Sequence, residues 1–552
     1  MSGVVLHLLR VTIEALSPLS LGSGDVIEVT HRRRGQNGAG PQSKTQDVTA
    51  LVRDANGLPT IPGSTLQGVL RHLYAAAHGE IRAKKLFGYA AGTAGEAGRL
   101  FVGFGAVHDH RDHAVTDLIV DPAAFRLDAI LPRLRNAEPL LRDHVSLNER
   151  HVADGRKKFD RRAVPVGTRF SIELSLWGTS DEATGDTVAL ESIVRLFSHP
   201  AFRLGGAGRH GYGRIVPRRA SYACSDLGDP IALRKLRDQA PSVALPQNIL
   251  SDSAIFDQVI TLKLRLTPIN PWRIGGDAAY LTEHTLGVRL AEGGTPPPAH
   301  LTANPRAQRD QENVATILRE PVIVWVNGRA ELRLPGQTSP FETGLPKGVP
   351  FAVPGSAIKG PLAHRTLFHW NRRDASRMID VDQWLAWDDL TRQAELAERV
   401  TRPESLGHLF GAAKERDSDA GRAGRVFTDD GVVSDVRAVQ AVDHIVIDRF
   451  TGGVITGLLY AEEVLVGGGV ETTITIMPPP LDSGCAEWPA DIRDAFLSAL
   501  RDLCRGRLAI GAKSLGFCTG EIAAWDGDIA LIPAWKNAWE ALITPSEQRD
   551  AA

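Results

Sequence analysis

Four short motifs occur twice along this chain, in the same order each time. They are Pro-Gly-Ser at the start of an apolar helical pattern, Leu-Phe-Gly, Gly-Arg before apolar residues, and a glycine-rich loop. A single match of this kind arises easily by chance, but four in one order do not. The order therefore predicts a divergent tandem duplication with loop insertions. The motifs begin at Pro62, Leu86, Gly98 and Gly205 in the first half, and at Pro354, Leu409, Gly424 and Gly511 in the second.

Length and composition agree with two units. A chain of 552 residues exceeds the size at which a single core stops growing, roughly 250–300 residues. The formal net charge of −2 excludes a strongly basic protein, so any nucleic-acid binding must rest on local patches. The four cysteines show no metal-ligand spacing and favour a reducing compartment. The N-terminal sequence is typical of a first strand rather than a signal peptide, and a cytoplasmic location is expected.

The stretch around Pro62-Gly63-Ser64 predicts a strand end, a tight turn and a helix. Apolar residues recur behind it at helical spacing, and Gly79 is the expected stop. Ser64 and Gln67 have the spacing of a capping box. Free backbone N–H groups at such a helix start favour an anion.

The coarse order in each half is strand, helix, strand, strand, helix, strand, which predicts an α+β fold. The expected organisation is a first domain over 1–220, a linker over 221–255, and a second domain over 256–535 with an insertion around 284–316. A C-terminal tail is expected over 536–552.

Several stretches suit contact with an anionic partner. Residues 31–43 begin with His31 and three arginines and predict a mobile basic loop. Residues 141–163 carry more basic than acidic side chains, and Arg209 and His210 lie within the glycine-rich loop 205–213. For that loop a plain hairpin turn is the favoured interpretation, and for 144–163 a solvated charged loop is an equal alternative.

Each half resembles the RAMP superfamily of CRISPR proteins, in particular the Cas7-like backbone subunits of type III effector complexes. The resemblance covers nearly the whole chain except 221–255 and 284–316. Two units in one chain resemble the fused backbone proteins of type III-D-like systems. The motifs that carry it are Gly22-Ser23-Gly24-Asp25, Pro62-Gly63-Ser64, Leu86-Phe87-Gly88 and 205–213, then Gly275-Gly276-Asp277, Pro354-Gly355-Ser356, Leu409-Phe410-Gly411, Ile447-Asp448-Arg449-Phe450-Thr451 and 511–516.

The resemblance implies two tandem ferredoxin-like (RRM-type) domains, each with a thumb that wedges into a guide–target RNA duplex. The thumbs would be 144–163 and 446–454. The implied partners are the guide RNA (crRNA), target RNA, and other type III subunits, namely Cas10, Cas5-like, Cas11-like and further Cas7-like proteins. The candidate RNA contacts are Arg71, Lys84, Lys85, Arg209 and His210 in the first half, and Lys359, Arg449 and Lys513 in the second.

In families that this chain resembles, an Asp in the loop before the Pro-Gly-Ser helix cleaves target RNA with a divalent metal. Alignment on that motif places Asp47 there, as general base or as ligand of Mg²⁺ or Mn²⁺. Asp25 is the next candidate, and Asp54 is expected to be a turn residue. Thr338 occupies the position in the second half, with Glu342 close by, so one active unit of two is expected.

Two other functions stay open at the level of sequence. A scaffold that holds guide and target without cutting would make Asp47 an ordinary loop residue. A Cas6-like nuclease that processes precursor guide RNA without metal would rely on a histidine such as His31 or His210.

Overall fold

A computed structural model gives the fold of the chain and divides it into two compact units. The first unit comprises Met1–Val145, Lys158–Asp257 and Pro321–Leu334, and the second comprises the remaining residues. The structure describes residues 3–33, 42–91, 94–136, 139–147, 153–231, 243–245, 259–278, 289–290, 314–334, 351–400, 403–412, 421–455, 460–480, 483–511 and 515–544.

The first unit is built on an antiparallel sheet that packs two helices against one of its faces. Along the central strand, Leu9, Val11 and Ile13 are buried on that face and lie opposite Leu174, Ile172 and Phe170 of its neighbour. This alternation is what a strand with one core-facing side requires. The elements of the first half are β1 Val4–Ala15, β2 Gly22–Arg33, β3 Gln42–Leu51, α1 Gly63–His78, α2 Glu80–Phe87, β4 Gly88–Ala91, β5 Ala94–Ala97, β6 Leu100–Val102, β7 Ala106–Val107, α3 Pro122–Leu127, α4 Leu131–Arg135, β8 Leu140–Leu147, β9 Ala153–Ala163, β10 Arg169–Thr179, α5 Ala183–Leu196, β11 Ile215–Asp226 and β12 Val243–Ala244.

The strand order of this sheet is β12-β11-β1-β10-β6, with β7 also paired to β10. Its four principal strands with α1 and α5 follow the chain order β1-α1-β6-β10-α5-β11. Strand β11 continues to Asp226 and pairs with β12, so the predicted linker over 221–255 begins inside the sheet.

Helix α1 lies where the apolar spacing predicted it and ends before Gly79, but its start differs from the prediction. The N-cap residue is Pro62, and no side chain caps the helix. The capping box of Ser64 and Gln67 is therefore wrong, because the helix already includes Gly63. A Cβ on Gly63 would lie 2.1 Å from the carbonyl oxygen of Val102, so glycine lets the helix start press against β6.

The second unit repeats the strand order of the first. Its sheet includes β22-β24-β13-β26, with α6 and α10 at the corresponding places in the chain. Its longest strand, β24, spans Tyr460–Ile476. The elements are β13 Ile260–Pro268, β14 Gly275–Ala278, β15 Arg289–Leu290, β16 Val314–Ile317, β17 Val322–Val326, β18 Arg329–Arg333, β19 Ala352–Val353, α6 Gly355–Arg372, α7 Val381–Ala386, α8 Asp389–Val400, α9 Glu404–Phe410, β20 Gly411–Ala412, β21 Arg422–Ala423, β22 Val426–Thr428, β23 Gly431–His444, β24 Tyr460–Ile476, α10 Ala490–Cys504, β25 Arg505–Ile510, β26 Gly516–Gly527 and α11 Ile532–Ile543.

Helix α6 runs through Pro361 without ending there, so the proline removes a backbone donor inside a continuous helix. One feature of the second unit differs from expectation. Residues 536–543, expected as tail, belong to α11. That helix buries Trp535 and Trp539 in the core of the second unit.

The repeated Leu-Phe-Gly and Gly-Arg motifs are a packing device in both units. A Cβ on Gly88 would lie 2.4 Å from the backbone nitrogen of Gly98, and a Cβ on Gly424 would lie 2.3 Å from the carbonyl carbon of Phe410. Each glycine pair therefore allows two backbone segments to touch where α2 or α9 meets the next strand. The recurrence of these motifs thus reflects the packing at one helix–strand junction.

Candidate RNA-binding and cleavage site

The candidate nucleophile-activating residue, Asp47, lies in a β-hairpin and not in a mobile loop. Strand β2 pairs with β3, and Asp47 is directly opposite Glu28 in the register. The prediction of a basic loop over 31–43 is therefore wrong for residues 31–33 and 42–43, which are strand, while 34–41 lie outside the described residues. The pairing of Glu28 with Asp47 was missed because it depends on a long-range register.

The root of this β2–β3 hairpin is fixed to the core. Leu21 and Leu51 are buried, and the Val52 N–H donates to the Leu21 carbonyl over 2.8 Å. Asp25, the second catalytic candidate, is exposed near this root, and its N–H donates to the Ser23 hydroxyl. The hairpin therefore extends from a base that is fixed to the core.

Asp54 is a turn residue, as the sequence predicted. Its carboxylate accepts hydrogen bonds from the backbone N–H groups of Asn56 and Leu58, at 2.9 and 2.8 Å. A carboxylate held in this way stabilises the turn.

The glycine-rich loop 205–213 packs directly against the same root. The Gly206 N–H donates to the Ser20 carbonyl over 2.8 Å, one residue before Leu21. Gly205 has φ +78°, and a Cβ there would lie 2.2 Å from the Ser20 oxygen. Close packing therefore explains these glycines, in agreement with the favoured interpretation of the loop as a turn. The loop also contains the short 3₁₀ turn Gly208–His210.

The other end of this loop contacts the base of the predicted first thumb. Tyr212 is fully buried, and its hydroxyl lies 2.7 Å from Nε2 of His144 on β8. The guanidinium carbons of Arg142 and Arg161 lie 4.9 and 6.0 Å from the Tyr212 ring centre. The segment 144–163 is largely the two-stranded β8–β9 hairpin, with 148–152 outside the described residues.

Positive charge is concentrated at this thumb base. Burial, and then the charges of Arg142 and Arg161, lower the pKa of His144 to about 4. His144 is therefore neutral at pH 7 and does not add to the charge. Arg161 lies over the glycine loop, since its Nη1 would be 2.8 Å from a Cβ on Gly206. Arg142 is 1% exposed, whereas Arg161 is partly exposed close to the exposed Gly205. The Arg161 guanidinium group is therefore the one of the two that suits a phosphate group.

The glycine loop therefore joins the roots of two hairpins, the β2–β3 hairpin with Asp47 and the β8–β9 hairpin. We call this assembly the hairpin junction. The sequence identified its three parts separately but gave no sign of their contact. Arg209 is half-buried and His210 is exposed within it.

The remaining first-half cations lie on or near α1 and α2. Arg71 donates to Glu80 over 2.5 Å, and Lys85 donates to Glu182 over 2.6 Å. Lys84 is exposed, with its Nζ 5.5 Å from the centre of the Tyr89 ring. Exposed ion pairs of this kind are weak, so these cations can exchange a carboxylate for a phosphate at small cost.

Lys359 does not fit its predicted role as an exposed RNA contact. It is 3% exposed, and its Nζ donates to the Val426 carbonyl over 2.9 Å. The side chain therefore ties α6 to β22 inside the second unit. Lys513, Thr338 and Glu342 lie outside the described residues.

The second predicted thumb, 446–454, is an exposed turn with an ordered tip. The Asp448 carboxylate accepts from the backbone N–H groups of Phe450 and Thr451, at 2.9 and 2.8 Å. These bonds lower the pKa of Asp448, with the Thr451 N–H the larger cause. Phe450 is 98% exposed and Arg449 is exposed beside it. The tip thus presents an aromatic ring and a cation together.

A Ser-His-Asp arrangement, which the sequence analysis did not find, lies on the other face of the first sheet. His108 Nε2 is 2.8 Å from the Ser171 hydroxyl, and His108 Nδ1 is 2.8 Å from an Asp112 carboxylate oxygen. Asp112 also pairs with Arg169 and Arg219. Ser171 is buried near the start of β10, which is paired on both sides. The arrangement therefore holds the loop with His108 and Asp112 on the sheet.

No three His, Cys, Asp or Glu side chains of the described residues meet as metal ligands. The side chain of Asp47 is not among them. Within the same parts of the chain, no helix combines the length and hydrophobicity that a membrane crossing requires.

The mixed α/β architecture and the hairpin junction can be set beside known families. The model of the RAMP superfamily matches residues 12–216, which include both hairpins and the glycine loop. Over these residues the chain is similar to the RAMP superfamily, whose proteins work with RNA and other Cas subunits in CRISPR effector complexes. No curated protein matches the chain.

Proposed function

We propose that the chain is a backbone subunit of a type III CRISPR effector complex, which binds guide and target RNA and cleaves the target through Asp47. The observation that carries this proposal is the hairpin junction. The root of the hairpin that carries Asp47, the glycine loop and the partly exposed Arg161 at the thumb base meet within the RAMP-matched region, which supports the proposal. The proposed partners are crRNA, target RNA and the other subunits of such a complex, including Cas10, Cas5-like, Cas11-like and Cas7-like proteins.

We infer further that the chain contains two tandem ferredoxin-like domains. The support is the shared strand order, β11-β1-β10-β6 in the first unit and β26-β13-β24-β22 in the second. Both have the β-α-β-β-α-β chain order of that motif. The repeated glycine packing at Gly88 and Gly411 adds a second match that strand order does not require.

The roles of the first unit's own residues follow from their placement. Arg161 is partly exposed and supplies positive charge at the thumb base, whereas Arg142 is 1% exposed and packs on Tyr212. The glycine loop lets a phosphate approach the backbone. Asp47 lies on β3, four residues before the buried Leu51 at the fixed root of the hairpin, and would act on the 2′-hydroxyl of a bound nucleotide.

Asp47 also fits a divalent ion, because Glu28 is directly opposite in the register. Two acidic residues that face each other across a strand pair destabilise a hairpin unless a cation lies between them. Mg²⁺ and Mn²⁺ prefer carboxylate oxygen, and such an ion would stabilise negative charge developing on the cleaved phosphate. Asp47 would hold it with Glu28, and Asp47 would take the 2′-hydroxyl proton.

The experiment that tests the proposal is purification of the chain, followed by analysis of bound RNA and incubation of the assembled complex with matched target. We expect a bound small RNA and a metal-dependent cut. A scaffold would leave the target whole in Mg²⁺ and in Mn²⁺. Cleavage of precursor RNA by the isolated chain in EDTA would instead indicate a Cas6-like nuclease.

Charge reversal on α2 is expected to weaken guide binding. Lys84→Glu with Lys85→Glu removes cations without disturbing the buried face of the helix. Each lost phosphate contact should lower the slope of log affinity against log salt by about 0.7 for single-stranded RNA. Filter binding across a salt series measures this slope. An unchanged slope would contradict a guide path along α2.

Lys359→Glu is a matched comparison, because it should weaken RNA binding by destabilising the fold and not by removing a phosphate contact. It places a carboxylate against the Val426 carbonyl inside the core, at a cost on the order of several kcal/mol of folding free energy. The melting temperature of the Lys359→Glu protein should fall sharply, whereas the protein with Lys84→Glu and Lys85→Glu should melt like the unaltered protein. A stable Lys359→Glu protein with weakened RNA binding would restore Lys359 as a contact.

Phe450→Ser tests the second thumb. The exposed ring contributes nothing to the core, so stability should not change. Removing an aromatic wedge should weaken capture of the guide–target duplex about 10-fold, because base–aromatic stacking is typically about 1–3 kcal/mol. Guide binding alone should be unaltered. Equal capture of duplex by Phe450→Ser and by the unaltered protein would contradict the role of 446–454 as a thumb.

A further inference from the structure

The outer face of the first sheet, opposite α1 and α5, is covered at one end. At the other end its β6–β10 side is open, whereas Leu6 on β1, directly opposite Trp177, is 5% exposed. At the covered end Ser171 and Arg169 lie beneath the His108 loop and Trp325. At the open end the register places Phe101 opposite Ser175, with Trp177 two residues further along the same face of β10. Phe101 is 57% exposed and Trp177 is 42% exposed.

We propose that this open end, the aromatic face formed by Phe101 and Trp177, is a second RNA site that stacks single-stranded bases. The inference rests on the proposed RNA-binding function and adds a site outside the hairpin junction. Diagonal neighbours on adjacent strands are about 7–8 Å apart, which gives each ring its own base. Aromatic side chains on an open antiparallel sheet are a known means of binding two or three unpaired bases.

The size and surroundings of the face favour a base over a protein partner. A stable protein interface buries about 800 Å² on each side, whereas a whole aromatic side chain offers only about 150–250 Å². Beside the rings, Arg10 pairs with Glu173 across the strands, and both are substantially exposed. This ion pair borders the rings with charge, and Arg10 can turn to a phosphate at small cost.

The second sheet makes a useful contrast. It too has a cross-strand ion pair, Arg265 with Glu471. Phe427 lies at the position of Phe101, opposite Thr475, and is 8% exposed, while Met477 lies at the position of Trp177 and is 9% exposed. A phenylalanine at this position is therefore part of the repeated fold, whereas the exposed pair of rings is a feature of the first sheet.

The test compares two double variants of the full chain on a fluorescein-labelled single-stranded oligo(U) RNA. Phe101→Leu with Trp177→Leu keeps apolar side chains but removes the rings, and we expect about 10-fold weaker binding. Phe101→Tyr with Trp177→Phe keeps the rings and should bind like the unaltered protein. The salt slope should not change in either, because stacking releases no counterions. Phe368→Leu, at an exposed aromatic position on α6, is the matched control.

Each result decides the matter. If the leucine pair binds the oligo(U) as tightly as the unaltered chain does, the inference is overturned. A leucine pair that binds RNA normally but loses self-association or a copurifying subunit identifies a protein interface instead. An equal loss of RNA affinity in both double variants would overturn the inference, because the substitutions would then act by disturbing the packing around the rings and not by removing stacking. If the unaltered chain binds no RNA, the proposed function itself fails and this inference fails with it.

Discussion

Asp47→Ala is expected to abolish metal-dependent cleavage of target RNA while RNA binding stays intact. Loss of a general base typically lowers the rate by about 10²–10⁴-fold, and the loss of a metal ligand at the same atom adds to this. Binding depends on many cations and ring contacts, so one carboxylate contributes little. Single-turnover cleavage in Mg²⁺ and Mn²⁺, with filter binding on the same preparation, measures both quantities.

Three companion variants make this result specific. Glu28→Gln, opposite Asp47, should weaken metal dependence more than it weakens the maximal rate, because it removes a ligand and leaves the base. Asp25→Ala should cut normally, since Asp25 lies near the root of the hairpin. Thr338→Ala should change nothing, because threonine has no anionic oxygen. A cut at the same phosphate by Asp47→Ala would place the active carboxylate elsewhere, with Asp25 next.

The sequence predicted the elements of this fold better than their contacts. Local signals located β1 and α1, because the apolar period of a strand or helix can be seen in consecutive residues. The β2–β3 hairpin was missed because basic and glycine-rich residues around 31–43 have weak strand propensity and depend on their partner strand. Residues 536–543 of helix α11 were taken for tail although Trp535 and Trp539 lie one helical turn apart, because only the core of the second unit shows that this short helix is buried.

The candidate site shows the same division. Asp47 and the glycine loop could be named from motifs, but Glu28 and the contact between Tyr212 and His144 required the register and the packing. Lys359 was named as an RNA contact because lysine is usually exposed. Nothing local to the sequence shows that its ammonium group reaches a carbonyl inside the core.

The second prediction with a large expected effect concerns the β17–β18 hairpin, which lies far along the chain but belongs to the first unit. Strands β17 and β18 place Ile323 and Ala330 in the first unit's core. The Trp325 indole N–H donates to the Gly167 carbonyl over 2.7 Å, and Arg169 lies 4.0 Å from its ring. Gly167 is required for this fit, since a Cβ there would be 1.8 Å from the Ile323 carbonyl oxygen.

Cleavage of the chain within 226–250 should therefore give two pieces that remain together. Without the hairpin, the first piece loses Ile323, Ala330 and Trp325 from its packing. It should expose apolar surface and aggregate when made alone, and a peptide spanning 319–336 should restore its solubility. An engineered protease site in 226–250, cut after purification and followed by size-exclusion chromatography, tests the association directly.

Trp325→Ala supplies the quantitative form of the same argument. Truncation of a packed tryptophan costs about 3 kcal/mol or more, and the buried Gly167 carbonyl loses its donor as well. The first unit should melt at a lower temperature, and the cut protein should separate into its pieces. Val326→Ala, at the exposed end of the same strand, is the matched control and should do neither. A first unit whose core needs Ile323 and Ala330 cannot stay folded without them. If the first piece folds alone and separates from the second piece after cleavage, the hairpin is therefore not part of that core.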